Sequence, residues 1–292
     1  VSAYHGSMNT TSPSHPILIG CSGWSYPDWE GVFYPPGLHT SETLSYYADR
    51  FPIVEVDSTF YRAPTPGMVR SWYERTPSAF RFALKAPRSI THEKLLKNCE
   101  EEVEGFVSSI LGLREKLSCV LLQMGYFNRS AFGTQSEFLK VLDTFLTRWP
   151  SGQTPLAVEV RNARWINSEL ASVLTSHGAA LTLTEQSWMP TPRQVADQFD
   201  PLTGPFAFIR LLGDRQGIER VTTTWDRIVL DRSADLAETA DLIQSLSLHA
   251  PVFVFANNHY AGHSPETVRQ LRRLLALPEP SPPDRPRWTL FD

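Results

Sequence analysis

Residues Val252-Phe253-Val254-Phe255-Ala256 form an unbroken apolar run of strand length, and the chain then passes at once into Asn257-Asn258-His259-Tyr260-Ala261-Gly262-His263. An unalternating run of β-branched and aromatic residues predicts a strand buried on both faces, as in parallel sheets. Polar residues crowded past the C-terminal end of such a strand stand where α/β folds keep their chemistry.

The same design recurs along the chain. Further strands are predicted at residues 17–22, 53–57, 80–85, 119–124, 156–161, 180–185 and 206–211. Helices are predicted at 41–47, 66–73, 100–113, 137–149, 168–176, 235–248 and 265–275, and a long Pro-containing insertion precedes the seventh strand. A cap at Thr40 or Ser41, a stop at Gly178 and acidic residues in the first turn after Cys99 support these boundaries. Eight strand–helix alternations in roughly 250 residues predict a single (β/α)8 TIM-type barrel with parallel inner strands. An open doubly wound sheet also alternates, and the count alone does not exclude it.

Residues 1–15 read as a polar leader, in which His5-Gly6-Ser7-Met8 looks like a cloning scar; residues 16–277 read as the barrel, and 278–292 as a Pro-rich tail. Trp288-Thr289-Leu290-Phe291-Asp292 is too apolar for plain linker and is expected to dock back on the domain. The same ending loosely resembles short peptides that dock on sliding clamps, with Arg287 in place of the usual Gln. The 292 residues carry a formal net charge of −4, which argues against a general duplex-DNA binder. Three scattered cysteines without a CxxC predict reduced thiols and a cytoplasmic protein, and no run approaches a membrane span.

Parity within the strands sharpens the barrel reading, because residues i and i+2 share a face. Val54 and Val56 oppose Glu55 and Asp57; Phe82 and Leu84 oppose Ala83 and Lys85; Val120 and Leu122 oppose Leu121 and Gln123; Val158 and Val160 oppose Glu159 and Arg161. Arg210 and Asn257 occupy corresponding late positions in the seventh and eighth strands. One face of each strand becomes polar only near its C-terminal end, which predicts a charged mouth around the barrel axis. Ionised groups there cost several kcal/mol each unless paired or solvated.

These motifs resemble the YecE-like family, the domain of unknown function seventy-two. The likeness runs through residues 17–277, on Gly20-Cys21-Ser22-Gly23-Trp24-Ser25-Tyr26, Val54-Glu55-Val56-Asp57-Ser58-Thr59-Phe60-Tyr61, Phe82-Ala83-Leu84-Lys85-Ala86-Pro87-Arg88 with Thr91-His92, Val158-Glu159-Val160-Arg161 and the 257–263 stretch. The resemblance implies a TIM-type barrel and carries no activity with it. Asn162 stands where relatives often have His, and Thr184-Glu185 where an Asp is common.

Glu55, Glu159 and His259 are the candidate catalytic residues. The two glutamates would serve as an acid/base pair, or with Asp57 as hard oxygen ligands for a divalent metal. The alternative is that they merely neutralise Lys85, Arg161 and Arg210. Those cations could equally clamp a phosphate or carboxylate. Trp24, Asp57, Tyr61, Lys85, His92, Gln123, Arg161, Arg210, Asn257 and Asn258 are the candidate substrate-binding residues. His92, His259 and His263 are all expected on loops at the mouth, but without an HxH or HExxH spacing no resident metal or other cofactor is predicted. Gly262 is expected to let the backbone approach a ligand. No GxSxG, P-loop or GxGxxG is present, which weighs against serine-hydrolase, NTPase and nicotinamide chemistry. The expected function is acid/base catalysis of a hydrolase, lyase or isomerase type on a small anionic or polyhydroxylated substrate. A nucleic-acid-linked nuclease or adaptor and a non-catalytic anion sensor are the alternatives.

Overall fold

The computed structural model describes residues 14–278. Eight parallel strands close into a barrel in the order β1 to β8. They are β1 (Ile17–Ser22), β2 (Ile53–Val56), β3 (Arg81–Lys85), β4 (Leu117–Gln123), β5 (Leu156–Glu159), β6 (Ala180–Gln186), β7 (Ala207–Gly213) and β8 (Val252–Ala256). The surrounding helices are α1 (Thr43–Ala48), α2 (Pro66–Glu74), α3 (Glu100–Ile110), α4 (Gln135–Arg148), α5 (Ser168–His177), α6 (Pro192–Ala196), α7 (Arg215–Glu219), α8 (Ser233–Ser247), α9 (Asn258–Ala261) and α10 (Ser264–Leu274). Pairing of β1 with β8 from Ile17↔Val252 to Cys21↔Ala256 closes the ring and excludes the open doubly wound sheet.

Local chemistry sets the helix ends. Thr65, Thr134 and Asn167 accept hydrogen bonds from the first backbone amides of α2, α4 and α5, and Gly178 takes a left-handed conformation to end α5. The predicted helix over 100–113 ends instead at Ile110 and tightens into a 3-10 turn over Leu111–Lys116, with Arg114 at φ 51°. The insertion before β7 holds α6, fixed by a capping box between Thr191 and Gln194.

Strand parity produces two cores. The outward residues, such as Val54, Leu84, Leu122 and Val158, pack under the helices in the larger core. The inward residues form a separate core of Ile53, Ala83, Cys119, Leu121, Ala157, Ala180, Phe206, Phe208 and Phe255. Small side chains on β3, β5 and β6 leave room that the phenyl rings of β7 and β8 fill. Phe206 meets Phe253 at 5.1 Å and Phe208 meets Phe255 at 4.9 Å, ring centroid to centroid. This aromatic floor lies beneath the polar mouth, since Arg210 is the next inward position on β7 after Phe208.

The seam between β1 and β2 is closed by a side chain. Tyr47 of α1 accepts a hydrogen bond from the Cys21 amide at 2.6 Å and donates one to the Ile53 carbonyl at 3.0 Å. A Cβ on Gly20 would lie 1.9 Å from that carbonyl, so only glycine permits the approach. Tyr47→Phe should leave both buried backbone groups without their partner. The expected loss is roughly 1–3 kcal/mol in urea unfolding; a loss below about 0.3 kcal/mol would show that the hydroxyl is dispensable.

Candidate functional site

Arg210 is the hub of the barrel mouth. Its side chain is 3% exposed, its Nη2 lies 2.6 Å from Glu55 Oε1, and its Nη1 lies 2.6 Å from Glu159 Oε2. Both glutamate side chains are fully buried. Arg161 Nε donates to the other oxygen of Glu159 at 2.8 Å. Asp57 stands further off, its Oδ1 3.7 Å from Arg210 Nη2 and 3.8 Å from Lys85 Nζ. The barrel thus gathers carboxylates from β2 and β5 and the residue after β2 onto one guanidinium from β7. A planar, permanently charged fork suits that task; an ammonium cannot span two carboxylates in this way.

The two glutamates differ in environment although they share a partner. Burial would raise the Glu159 carboxyl, but the charges of Arg210 and Arg161 and the bonds they donate outweigh it and hold it down at about 2. Burial raises the Glu55 carboxyl above the usual range; Arg210 opposes the rise, while Asp57 adds to it. Its second oxygen, Oε2, is buried with no hydrogen-bond partner among the described residues. Arg210 would be weakened as a cation by burial, yet Glu55, Glu159 and Asp57 drive its pKa well above the usual value.

Lys85 and Arg161 border this cluster, with side chains 12% and 25% exposed. Burial lowers the Lys85 ammonium; Asp57 opposes this and Arg210 adds to it. Lys85 Nζ also lies 4.2 Å from the centre of the Phe60 ring, a cation–π contact. His92 sits on the same side, its ring 4.9 Å from Phe60 and its Nδ1 2.8 Å from Thr91 Oγ1. Burial and the charges of Lys85, Arg161 and Arg88 depress its pKa, so His92 is neutral at neutral pH. Gln123 ends β4 between Lys85 and Arg161 and donates to the carbonyl of Met124. Glu55, Asp57, Lys85, His92, Gln123, Arg161 and Arg210 are therefore brought to one end of the barrel, as the parity of the strands predicts.

The other candidate positions are engaged by neighbours outside this cluster. His259 is bound to its own neighbours: Nδ1 is 2.6 Å from Asn257 Oδ1, Nε2 is 3.3 Å from Glu219 Oε1, and the ring packs on Trp225 at 4.7 Å. Asn257 also accepts from the His259 amide and so starts α9 directly after β8. For that reason the expected loop is a helix. Asn258 is 1% exposed, and its Oδ1 accepts from Trp29 Nε1, Ser264 N and Ser264 Oγ, which makes it a pin between the loop after β1 and α10. His263 immediately precedes α10, is 4% exposed and donates from Nδ1 to the Trp225 carbonyl. His92 lies in a π-helical turn, Ser89–Glu93.

Trp24 packs edge-on against Trp72 of α2 at 5.9 Å, and Tyr61 is 76% exposed beside Phe60. Gly262 does admit a close backbone, but its neighbour is the chain itself. With φ at 113°, its Cβ would lie 2.4 Å from the Arg227 carbonyl. Among the described residues no three His, Cys, Asp or Glu side chains group as a metal shell. Here the carboxylate oxygens face guanidiniums. No helix among the described residues is long and apolar enough to cross a membrane. The Trp288 to Asp292 ending lies outside the described residues, whereas Ser14 and His15 are tied to the end of α8 through the Ser247 carbonyl.

The inward face of β6 is a part of the mouth that the strand reading passed over. Thr182 and Thr184 share it, Gln186 follows past a shift in register, and all three are buried, whereas Glu185 points outward toward Asp235 and Arg232. The signal was present as the alternation Thr-Leu-Thr-Glu-Gln, in which the polar parity is uncharged. Ser22 is likewise inward, paired in register with Glu55.

Comparison with known proteins agrees with this architecture. The chain is 32% identical over 149 residues to UPF0759 protein YecE of Escherichia coli K12, which is 51% of this chain and 50% of that protein. It is 31% identical over 160 residues to UPF0759 protein YunF of Bacillus subtilis, covering 52% of each. These alignments span about half the length of the curated relatives. A crystal structure of a DUF72 family protein from Thermotoga maritima superposes over 90% of this chain and 100% of its own, with a TM-score of 0.72 and 27% identity. Another from Enterococcus faecalis shares the fold at a TM-score of 0.66 and 21% identity, over 91% of this chain and 100% of its own. Residues 18–289 match the family described as protein of unknown function DUF72, and the chain belongs to that family.

Proposed function

We propose that the barrel mouth is an enzyme active site in which Glu55 exchanges a proton with a small anionic or polyhydroxylated substrate. The observation that carries this reading is the split between two buried glutamates on one guanidinium. Glu159 is held down at about 2, while Glu55 is pushed up. Two carboxylates whose environments drive their pKa values apart are the pattern of an acid/base site. Glu159, ionised throughout the neutral range, is the positioning residue that fixes Arg210 and Arg161. Glu55 is the group able to gain and lose a proton. Lys85 and Arg161, at the solvent edge, supply charge for an anionic group of the substrate. His259, engaged by Asn257 and Glu219, acts on the loop after β7 and only indirectly on the mouth. Hydrolysis, elimination and isomerisation all need such a proton-transfer group.

The test is a turnover screen of hydroxylated carboxylates and sugar phosphates followed by proton NMR. A converted compound should bind to Glu55→Gln and remain unconverted. Full turnover by that variant would overturn the assignment. A ligand that binds the wild-type mouth and is never converted would make the site a sensor.

A further inference from the structure

The mouth is divided by charge around the barrel. On one arc, β3, β4 and β5 present Lys85, Gln123 and Arg161, with His92 in the turn that follows β3. Next to β5, the uncharged strand β6 presents Thr182 and Thr184 and ends at Gln186. Beyond β6, Arg210 of β7 is already committed to Glu55 and Glu159. A ligand entering the mouth therefore meets the partly exposed cations Lys85 and Arg161 beside an uncharged β6.

This uncharged strand has hydrogen-bonding capacity that the chain does not use. Thr182 Oγ1 and Gln186 Oε1 are buried without a hydrogen-bond partner among the described residues, in side chains of residues only 4% and 7% exposed. Thr182 lies on the inward face of β6 level with Phe208, and Gln186 ends the strand level with Gly213, past a shift in register. They therefore run from the aromatic floor toward the rim. A buried hydroxyl or amide left unsatisfied costs ~1–3 kcal/mol. Uncharged groups of this kind match hydroxyls, which both donate and accept, better than they match a second anionic group.

We propose that the ligand of this mouth is anionic and polyhydroxylated at once, a sugar acid or sugar phosphate, with its anionic group on the Lys85–Arg161 arc and its hydroxyls on Thr182 and Gln186. This rests on the mouth being the binding site and narrows what it binds. It also assigns Thr182 and Gln186 as specificity residues. An anion without hydroxyls would leave the β6 groups unmatched, and a neutral polyol would leave the cations unmatched.

Isothermal titration calorimetry with four probes tests the proposal: gluconate, glucose 6-phosphate, hexanoate and sorbitol. At least one of the first two should bind about tenfold or more tighter than hexanoate and sorbitol, a difference equal to one or two good hydrogen bonds. Which of the two binds separates a carboxylate from a phosphate requirement. Thr182→Val, checked for an unchanged melting temperature, should weaken the hydroxylated anion by about tenfold and leave hexanoate unchanged. Should Thr182→Val prove destabilised, Gln186→Leu provides the same comparison. Lys85→Met should weaken every anionic probe. Equal binding of gluconate, glucose 6-phosphate and hexanoate, or no binding of either hydroxylated anion at millimolar concentration, would overturn the proposal. Neither outcome touches the catalytic role of Glu55, which stands or falls on turnover by Glu55→Gln.

Discussion

Arg210→Met is expected to destabilise the protein by ~3–5 kcal/mol at neutral pH, the usual consequence of removing one partner from a buried ion cluster. Its guanidinium is the direct partner of both Glu55 and Glu159, at 2.6 Å each, and neither carboxylate has any exposed surface. Without the cation, both must either ionise unpaired in an apolar barrel or take up protons. The loss should therefore shrink as pH falls, because carboxylates whose pKa values have risen are neutralised first. Thermal melts should place the neutral-pH midpoint on the order of 10 °C lower. Arg210→Lys should recover only part of this, since one ammonium cannot bridge both glutamates. The triple variant Arg210→Met, Glu55→Gln, Glu159→Gln should regain much of the stability, because a neutral cluster carries no unpaired charge. A single Arg210→Met variant as stable as wild type would mean that the cluster is solvated rather than buried.

Glu55→Gln is expected to lower turnover by about 10²–10⁴-fold, the usual size of a positioned acid/base contribution. Binding should change little, since glutamine keeps the shape and can still accept from Arg210. Stability should change little too. The substitution removes a carboxylate that burial already disfavours, and Arg210 keeps Glu159 and Asp57 as partners. Glu159→Gln should behave differently. It removes the ionised anchor of Arg210 and Arg161, so it should reduce stability and substrate affinity together. Separation of the two variants in this way would distinguish a proton-transfer residue from a positioning residue.

Most of the fold was legible because the barrel imposes a simple rule. Inward and outward residues alternate, and on most strands the inward ones turn polar at the strand ends. That rule identifies Glu55, Lys85, Gln123, Glu159 and Arg210 without knowledge of any contact. It cannot identify how they pair. Arg210 lies 155 residues from Glu55 and 51 from Glu159, and nothing in spacing indicates that one guanidinium takes both. The aromatic residues were harder to read for a different reason. Trp24 is held by Trp72, and Trp29, fully buried, is held by Asn258; an aromatic in a loop signals burial or recognition equally well until its neighbours are known. At the polar end of β8, Asn257 and Asn258 satisfy backbone and core groups that the sequence alone does not reveal. Amides serve as caps and as recognition groups with the same atoms. On β6, Thr182 and Gln186 were overlooked beside Glu185, the charged residue that faces away from the axis.

The division of labour between the two glutamates is best tested by carboxyl carbon-13 NMR titration of the folded protein with Glu55 and Glu159 assigned. Glu159 should show no protonation step until the pH approaches about 2, and Glu55 should take up its proton above the ordinary glutamate range. Two glutamates that titrate together, or Glu55 titrating below Glu159, would contradict the account.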